Sequence, residues 1–150
     1  MRTIDTKEYI GMLRELIEEG KEVSMLISGV SMTPFLGHHR DTICFKKPDR
    51  PLRKGDMVFY QRWTGQYVMH RICKVKSDGY YIVGDAQTDI DGPIKEEQIF
   101  GLITKVCRKG KWIGPGNFWW EFFEHVWLVI IPVRPVILGM YNIFYKLKNK

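Results

Sequence analysis

The stretch QYVMHRICKVKSDGYYIVGD, residues 66–85, decides the fold, because it contains two β-strand patterns separated by a short polar turn. β-Branched and aromatic residues fill both arms, and Ser-Asp-Gly at 77–79 is typical of a hairpin turn. Similar patterns flank it: EVSMLIS (22–28), DTICFKK (41–47), DMVFYQR (56–62) and FGLITKVCRK (100–109), with WTGQ (63–66) as a second hairpin turn. The sequence therefore predicts a mainly β fold, a small curled antiparallel sheet or irregular barrel.

One amphipathic helix is predicted before the strands, over residues 5–19. Asp5 and Glu8 form a start that resembles a capping box, and Gly20 is a natural stop. Its apolar stripe is expected to lie against the sheet, and consists of Tyr9, Leu13, Leu16 and Ile17. A single helix of this kind does not make a DNA-reading helix-turn-helix.

Composition places the chain among globular proteins with an anionic partner. The 150 residues can bury one core, and 45% are hydrophobic and 27% charged. The net charge of +6 suits a phospholipid surface or nucleic acid. Cys44, Cys73 and Cys107 are odd in number and form no C-x-x-C pair, which disfavours a zinc site or disulfide framework and favours a reducing compartment. MRTIDTKEYI has no apolar run, so no signal peptide or N-terminal anchor is expected.

The composition changes after GPGN at 114–117, so we divide the chain into a catalytic β body with its helix (1–113) and an aromatic, basic tail (114–150). Residues 126–145 have about the length of a membrane span, which needs roughly 20 apolar residues. Pro132, Arg134 and Pro135 near the middle disfavour a span. The tail is expected to be helical and to lie on an anionic membrane surface, with packing on the β body as the alternative.

Ser31, in SGVSMTPFLG (28–37), lies in a short turn, where it is either a plain turn residue or a nucleophile that needs a base. His70 interrupts an apolar strand, and is either a half-buried core histidine or that base. The other histidines are less suited, since His38 and His39 lie in a polar loop and His125 has no nearby partners in the sequence.

Carboxylates follow in the turn-prone segment GDAQTDIDG at 84–92, which contains Asp85, Asp89 and Asp91. Loop carboxylates are usually solvated or form turns. A Ser-His pair nevertheless works best when a carboxylate orients the imidazole. A serine, a histidine and an aspartate in this order therefore indicate a catalytic serine site more strongly together than each residue does alone.

These blocks resemble the signal peptidase I family, which shares its fold with the LexA-type self-cleaving repressors. GVSMTP is similar to the family's G-x-S-M-x-P nucleophile motif, RKGDMVFY resembles its next strand, and GDAQTDID resembles its G-D-x-x segment. VMHRI resembles the histidine strand of the archaeal and endoplasmic-reticulum enzymes, where bacterial members have Lys-Arg. The likeness runs in order from about residue 23 to 107.

The resemblance implies that Ser31 is the nucleophile, His70 the general base, Asp91 the orienting acid and Asp85 an auxiliary acid. It also implies that the backbone N–H of Ser31 contributes to the oxyanion hole. Gly29 stands where many bacterial members have a hydroxyl, with Ser28 one residue earlier. The membrane anchor that usually precedes the motif in the family is not expected from residues 1–27. Lys74, four residues after His70, is the alternative base.

The function expected is a serine endopeptidase that cleaves leader or signal peptides through an acyl-enzyme, with small residues before the cut and no metal or organic cofactor. The expected partners are a peptide or preprotein substrate and an anionic membrane surface, but no nucleic acid. The expected location is the cytoplasm, peripheral to the cytoplasmic face of the membrane. Two alternatives remain: a non-catalytic peptide-binding module on the same fold, and a repressor fragment, which the missing helix-turn-helix disfavours.

Overall fold

The computed structural model describes residues 6–29, 31–129 and 134–148. The helices are α1 (Thr6–Glu18), a 3-10 turn (Glu96–Gln98), α2 (Phe118–Glu121), a π-helical turn (Phe122–Val126), α3 (Trp127–Val129) and α4 (Arg134–Lys148). The strands are β1 (Val23–Leu26), β2 (Thr42–Lys46), β3 (Met57–Gln61), β4 (Tyr67–Lys76), β5 (Gly79–Val83), β6 (Asp91–Ile94), β7 (Ile99–Arg108) and β8 (Lys111–Ile113). The predicted helix is confirmed as α1, whereas the Asp5 cap lies outside the described residues.

All eight strands belong to one antiparallel sheet in the order β1-β2-β7-β3-β4-β5-β6, with β8 paired to β7. The mainly β prediction and the six predicted strands are confirmed. The strands at the two ends of this order, β1 and β6, do not pair with each other in the described chain. The sheet is therefore open, and the alternative prediction of an irregular barrel is not found.

Both predicted hairpin turns are confirmed, and glycine is required in the β4–β5 turn. Lys76 pairs with Gly79 and leaves a two-residue loop between them. Gly79 has a φ of +142°, and a Cβ atom there would lie 2.7 Å from the Ile94 carbonyl oxygen on β6. Only a residue without a side chain lets β5 turn so closely against β6.

The predicted stripe on α1 is partly wrong. Leu13 and Ile17 are buried as expected, but Tyr9 and Leu16 are 38% and 36% exposed. Ile10 is buried instead, so the stripe follows the spacing 10, 13, 17 along one helical face. This face packs into the main core on one side of the sheet, together with Phe35 and Phe59.

The C-terminal tail divides into a buried part and an exposed part. Trp120, Phe123 and Trp127 are buried in the same core as α1, and the Phe123 ring lies 4.8 Å from that of Phe35. Helix α4 instead exposes the apolar side chains whose burial the structure describes, from Val136 to Leu147. Among the described residues, no helix combines the length and apolar character needed to cross a membrane.

Candidate functional site

A cleft of about 390 Å³ lies between the end of β1 and the first half of β4, and both Ser31 and His70 line it. Its apolar walls include Met25, Ile27 and Met69. Its polar lining consists of Ser28, Ser31, Arg62, Gln66, His70 and Gln87. The structure therefore brings the predicted nucleophile and the predicted base to one opening.

Two unpaired strand edges border this cleft. Strand β5 pairs with β4 only from Arg71 onward, so the described chain gives Tyr67–His70 no neighbour on that side. Strand β1 pairs only with β2 and leaves its outer edge open as well. Backbone N–H and C=O groups at such edges can accept another extended chain.

The turn that presents Ser31 is held from both sides. Before it, the Gly29 N–H donates to His38 Nδ1 at 2.7 Å. After it, Met32 is buried, and its carbonyl accepts from the Leu36 N–H at 2.9 Å. Val30 lies outside the described residues, so the oxyanion role of the Ser31 N–H stays a prediction.

His70 is buried on β4, and the pKa of its imidazole is lowered from 6.5 to about 4. Burial is the largest cause of this shift and the positive charge of Arg62 adds to it, whereas the Asp91 carboxylate opposes both effects. His70 is consequently neutral at pH 7 and has a lone pair free to accept a proton. Within the described ranges, no hydrogen bond joins its ring to Ser31 or Asp91.

Asp91 does not line this cleft but a neighbouring depression, and two other side chains hold its carboxylate. Its Oδ2 accepts from Tyr60 Oη at 2.9 Å and from Arg62 Nε at 2.8 Å. Burial and this bond to Asp91 raise the pKa of the Tyr60 hydroxyl, which therefore remains a donor. Asp91 thus influences His70 through its charge and not through a direct contact.

Asp85 is fully buried and forms an ion pair with Arg71. Arg71 donates to it twice, from Nε to Oδ1 at 2.9 Å and from Nη2 to Oδ2 at 3.0 Å. Arg71 Nη1 also donates to the Gly55 carbonyl at 3.0 Å. Both carboxylate oxygens of Asp85 are therefore engaged away from His70.

The remaining candidates lie elsewhere. Lys74 is exposed on β4 and does not line the cleft, which removes the geometric support for it as the base. The rings of His38 and His39 stack on each other at 3.6 Å. The expectation that His125 has no sequence neighbour as a partner was wrong, because one helical turn brings Glu121 within 3.0 Å.

One group in the described chain could hold a metal ion. Ligand atoms of Glu121, Glu124 and His125 lie within 4.8 Å of one another. The His125 side chain is largely exposed, and none of the three residues lines the cleft. This group therefore gives the serine site no metal ligand.

Sequence reasoning missed three residues that organise the site: Arg62, Tyr60 and Trp127. Tyr60 on β3 and Arg62 just after it are two positions apart, as residues on one face of a strand are, but only the pairing of β5 with β6 brings Asp91 to them. Trp127 comes from the tail, which carried no pattern pointing toward the loop at Asp85. Alternation on β3 was the one available indication.

Comparison of the chain with protein-family models, with curated proteins and with solved structures finds no match in any of the three.

Proposed function

We propose that this protein is a serine endopeptidase with a signal peptidase-like catalytic domain, which cleaves leader or signal peptides. The observation that carries the proposal is the shared cleft: Ser31 and His70, far apart in sequence, line one opening. The open antiparallel sheet with its N-terminal helix is compatible with that domain type.

An extended peptide suits the cleft as substrate. The free edges of β1 and of Tyr67–His70 offer backbone hydrogen bonds to a strand lying between them. Met25, Ile27 and Met69 offer apolar contacts to alternate side chains of that strand. Backbone pairing places the peptide with little dependence on its sequence, and the apolar walls select its side chains.

The chemistry needs only side chains of this chain and water. Ser31 Oγ attacks the scissile carbonyl while neutral His70 takes the hydroxyl proton. The C–N bond breaks as His70 gives that proton to the leaving amine. Water then attacks the acyl carbonyl as His70 takes its proton, and His70 returns this proton to Ser31 Oγ as the acid product leaves. Catalytic hydrogen bonds are often formed only in the substrate complex, so the open Ser31–His70 pair is compatible with this sequence of steps.

A second candidate function is a peptide-binding module without catalysis. The observation that favours it is the lack of a Ser31–His70–Asp91 hydrogen-bond chain in the described structure. Both functions use the same strand edges, so peptide binding alone does not separate them.

Labelling with a fluorophosphonate separates the two functions, because only an activated serine reacts quickly. The labelled protein should carry the adduct on Ser31, and Ser31→Ala and His70→Ala should each abolish cleavage of a leader-peptide substrate. Ser77→Ala, in the β4–β5 turn, is the matched control. Undiminished turnover in His70→Ala would disprove the Ser-His mechanism, and an unlabelled Ser31 that still binds peptide would favour the binding module.

We further propose that the protein works at the surface of an anionic membrane in the cytoplasm. Val136, Met140, Ile143 and Leu147 form one stripe on α4 with spacings of four, three and four residues, and they are 55–66% exposed. Residues 130–150 contain no Asp or Glu. An apolar stripe on a helix without acidic residues suits the headgroup region of anionic lipid.

The surroundings of α4 are cationic as well. Arg40, Lys109 and Lys148 lie with Tyr141 and Tyr145 around one surface depression. The nearby charge of Arg108, burial and the charge of Arg40 lower the pKa of Lys109, as expected where cations crowd together. Anionic headgroups would relieve this repulsion, at about 1 kcal/mol per lysine or arginine near the surface.

Co-sedimentation with phosphatidylserine-containing vesicles tests the membrane proposal. The full chain should pellet at low salt and less at high salt, and Ile143→Asp should abolish pelleting. Val75→Asp, which makes the same charge change at an exposed site on β4, should not. A protein that stays in the supernatant at both salt concentrations overturns the proposal, and a concentration-dependent dimer lost in Ile143→Asp would assign the stripe to a second copy of the chain.

A further inference from the structure

The buried part of the tail touches the loop that supports the serine. Trp127 is buried, and its indole Nε1 donates to the Asp85 carbonyl oxygen at 2.7 Å. The two residues are 42 positions apart in the sequence. A tryptophan that packs in a core without a partner for its N–H would be destabilising, so this bond fixes the indole orientation.

The residues around Asp85 contact Ser31 directly. The Ala86 N–H donates to the Ser31 carbonyl oxygen at 2.8 Å. A Cβ atom on Gly84 would lie 2.6 Å from that same oxygen, so the backbone of Gly84 packs against the serine turn. The position of residues 84–86 therefore helps to set the position of Ser31.

One peptide unit joins the two contacts. The Asp85 carbonyl and the Ala86 N–H belong to the same planar amide, whose C=O and N–H point in opposite directions. Trp127 holds the oxygen at one end, and the Ser31 carbonyl accepts from the hydrogen at the other. Rotation of this amide breaks both bonds at once.

We propose that Trp127 is a positioning residue for Ser31, which acts through the amide between Asp85 and Ala86. Arg71 holds the Asp85 side chain and the Ser31 carbonyl accepts from the Ala86 N–H, but neither bond reaches the carbonyl oxygen of this amide. Trp127 adds a restraint on that oxygen from the C-terminal segment. The effect on catalysis rests on the proposed peptidase function, whereas the restraint on the amide does not.

The test replaces the indole N–H and follows the Ala86 amide by hydrogen exchange. In Trp127→Phe, exchange at Ala86 should quicken by about fivefold to tenfold, as expected when one buried hydrogen bond is lost. Trp120→Phe is the matched control, since Trp120 is buried in the same segment and makes no hydrogen bond to residues 84–86 within the described chain. If the wild type cleaves a leader peptide, Trp127→Phe should lower kcat by about fivefold to tenfold as well and leave KM unchanged.

Two results would overturn the proposal: equal Ala86 exchange in both variants, or a kcat loss as large in Trp120→Phe as in Trp127→Phe. A wild type without peptidase activity would overturn the proposed function, while the exchange experiment would still decide the restraint. If Trp127→Phe does not fold, benzothienylalanine at position 127 keeps the shape of the indole without its N–H. Faster Ala86 exchange in that variant supports the proposal, and unchanged exchange refutes it.

Discussion

The two ends of the loop from Gly84 to Asp91 hold their carboxylates in opposite ways. At the first end, Asp85 is fully buried and receives two hydrogen bonds from Arg71. At the second end, Asp91 is half-buried and shares one oxygen between Tyr60 and Arg62. The first end touches Ser31 through the backbone, and the second reaches His70 only through its charge.

The difference separates a carboxylate that supports the backbone from one that adjusts the pKa of His70. A buried carboxylate with both oxygens engaged cannot move or change partners cheaply, so Asp85 fixes backbone positions. The half-exposed Asp91 carboxylate is partly screened by solvent, and its charge acts on the proton affinity of His70 without a hydrogen bond between them. Two aspartates six positions apart therefore have different physical roles.

The largest effect is expected from removing the buried carboxylate. Asp85→Ala leaves the Arg71 guanidinium buried without its counter-ion, which should lower the free energy of unfolding by about 3–5 kcal/mol. Asp91→Ala removes a half-exposed pair and should lower it by about 1 kcal/mol or less. Urea unfolding of both variants measures the difference, and equal losses would contradict the division.

For activity the order of the two acids should reverse. Asp91→Asn removes the charge that favours protonated His70, and kcat should fall by about 10- to 100-fold, because an opposite charge within reach shifts a pKa by roughly 1–2 units. Asp85→Asn should cost less once rates are divided by the folded fraction. Steady-state kinetics on a leader-peptide substrate provides the check. A greater loss of kcat in Asp85→Asn than in Asp91→Asn would mean that Asp85, and not Asp91, is the acid that acts on His70.

The pH dependence tests the burial of His70. Neutral His70 is the active base, so activity should rise with pH around its pKa of about 4, well below the ordinary value of 6.5. The unfolded state takes up the proton already near pH 6.5, so the free energy of unfolding should decrease as pH falls from about 6.5 to 4. Asp91→Asn should move the acid limb of the rate profile to lower pH, because the Asp91 charge raises this pKa. A limb that stays near pH 6.5 would show that the imidazole is solvated in the working enzyme.

The smallest effect is expected in the middle of the loop. Asp89 is exposed and lies between the two ends, so Asp89→Asn should change the free energy of unfolding by about 0.5 kcal/mol or less. Its kcat should stay within about twofold of the wild type. A larger loss would mean that the whole loop, and not its two ends, carries the function.

The sheet could be predicted from sequence because its information is local. Alternation and turn residues gave the six strands and the hairpins at Gly65 and Gly79, and these depend on few distant contacts. That Ser31 and His70 would share a site was predicted from their order with the aspartates and from a family resemblance, and both residues line one cleft. The partners of Asp91 and Asp85 were not predictable, since β-strand register and the return of the tail bring Arg62 and Trp127 to them from distant positions.

The burial of the aromatic tail imposes an order on biosynthesis. The ribosome releases α1 and β8 before Trp120, Phe123 and Trp127, so in a newly made sheet α1 covers only part of the apolar face that the tail later completes. Until Trp127 has emerged, the amide behind Ser31 also lacks its indole donor. The serine turn therefore reaches its final structure only after residue 127 has emerged from the ribosome. Chains stalled before residue 118 should be far more sensitive to added protease than chains released at full length.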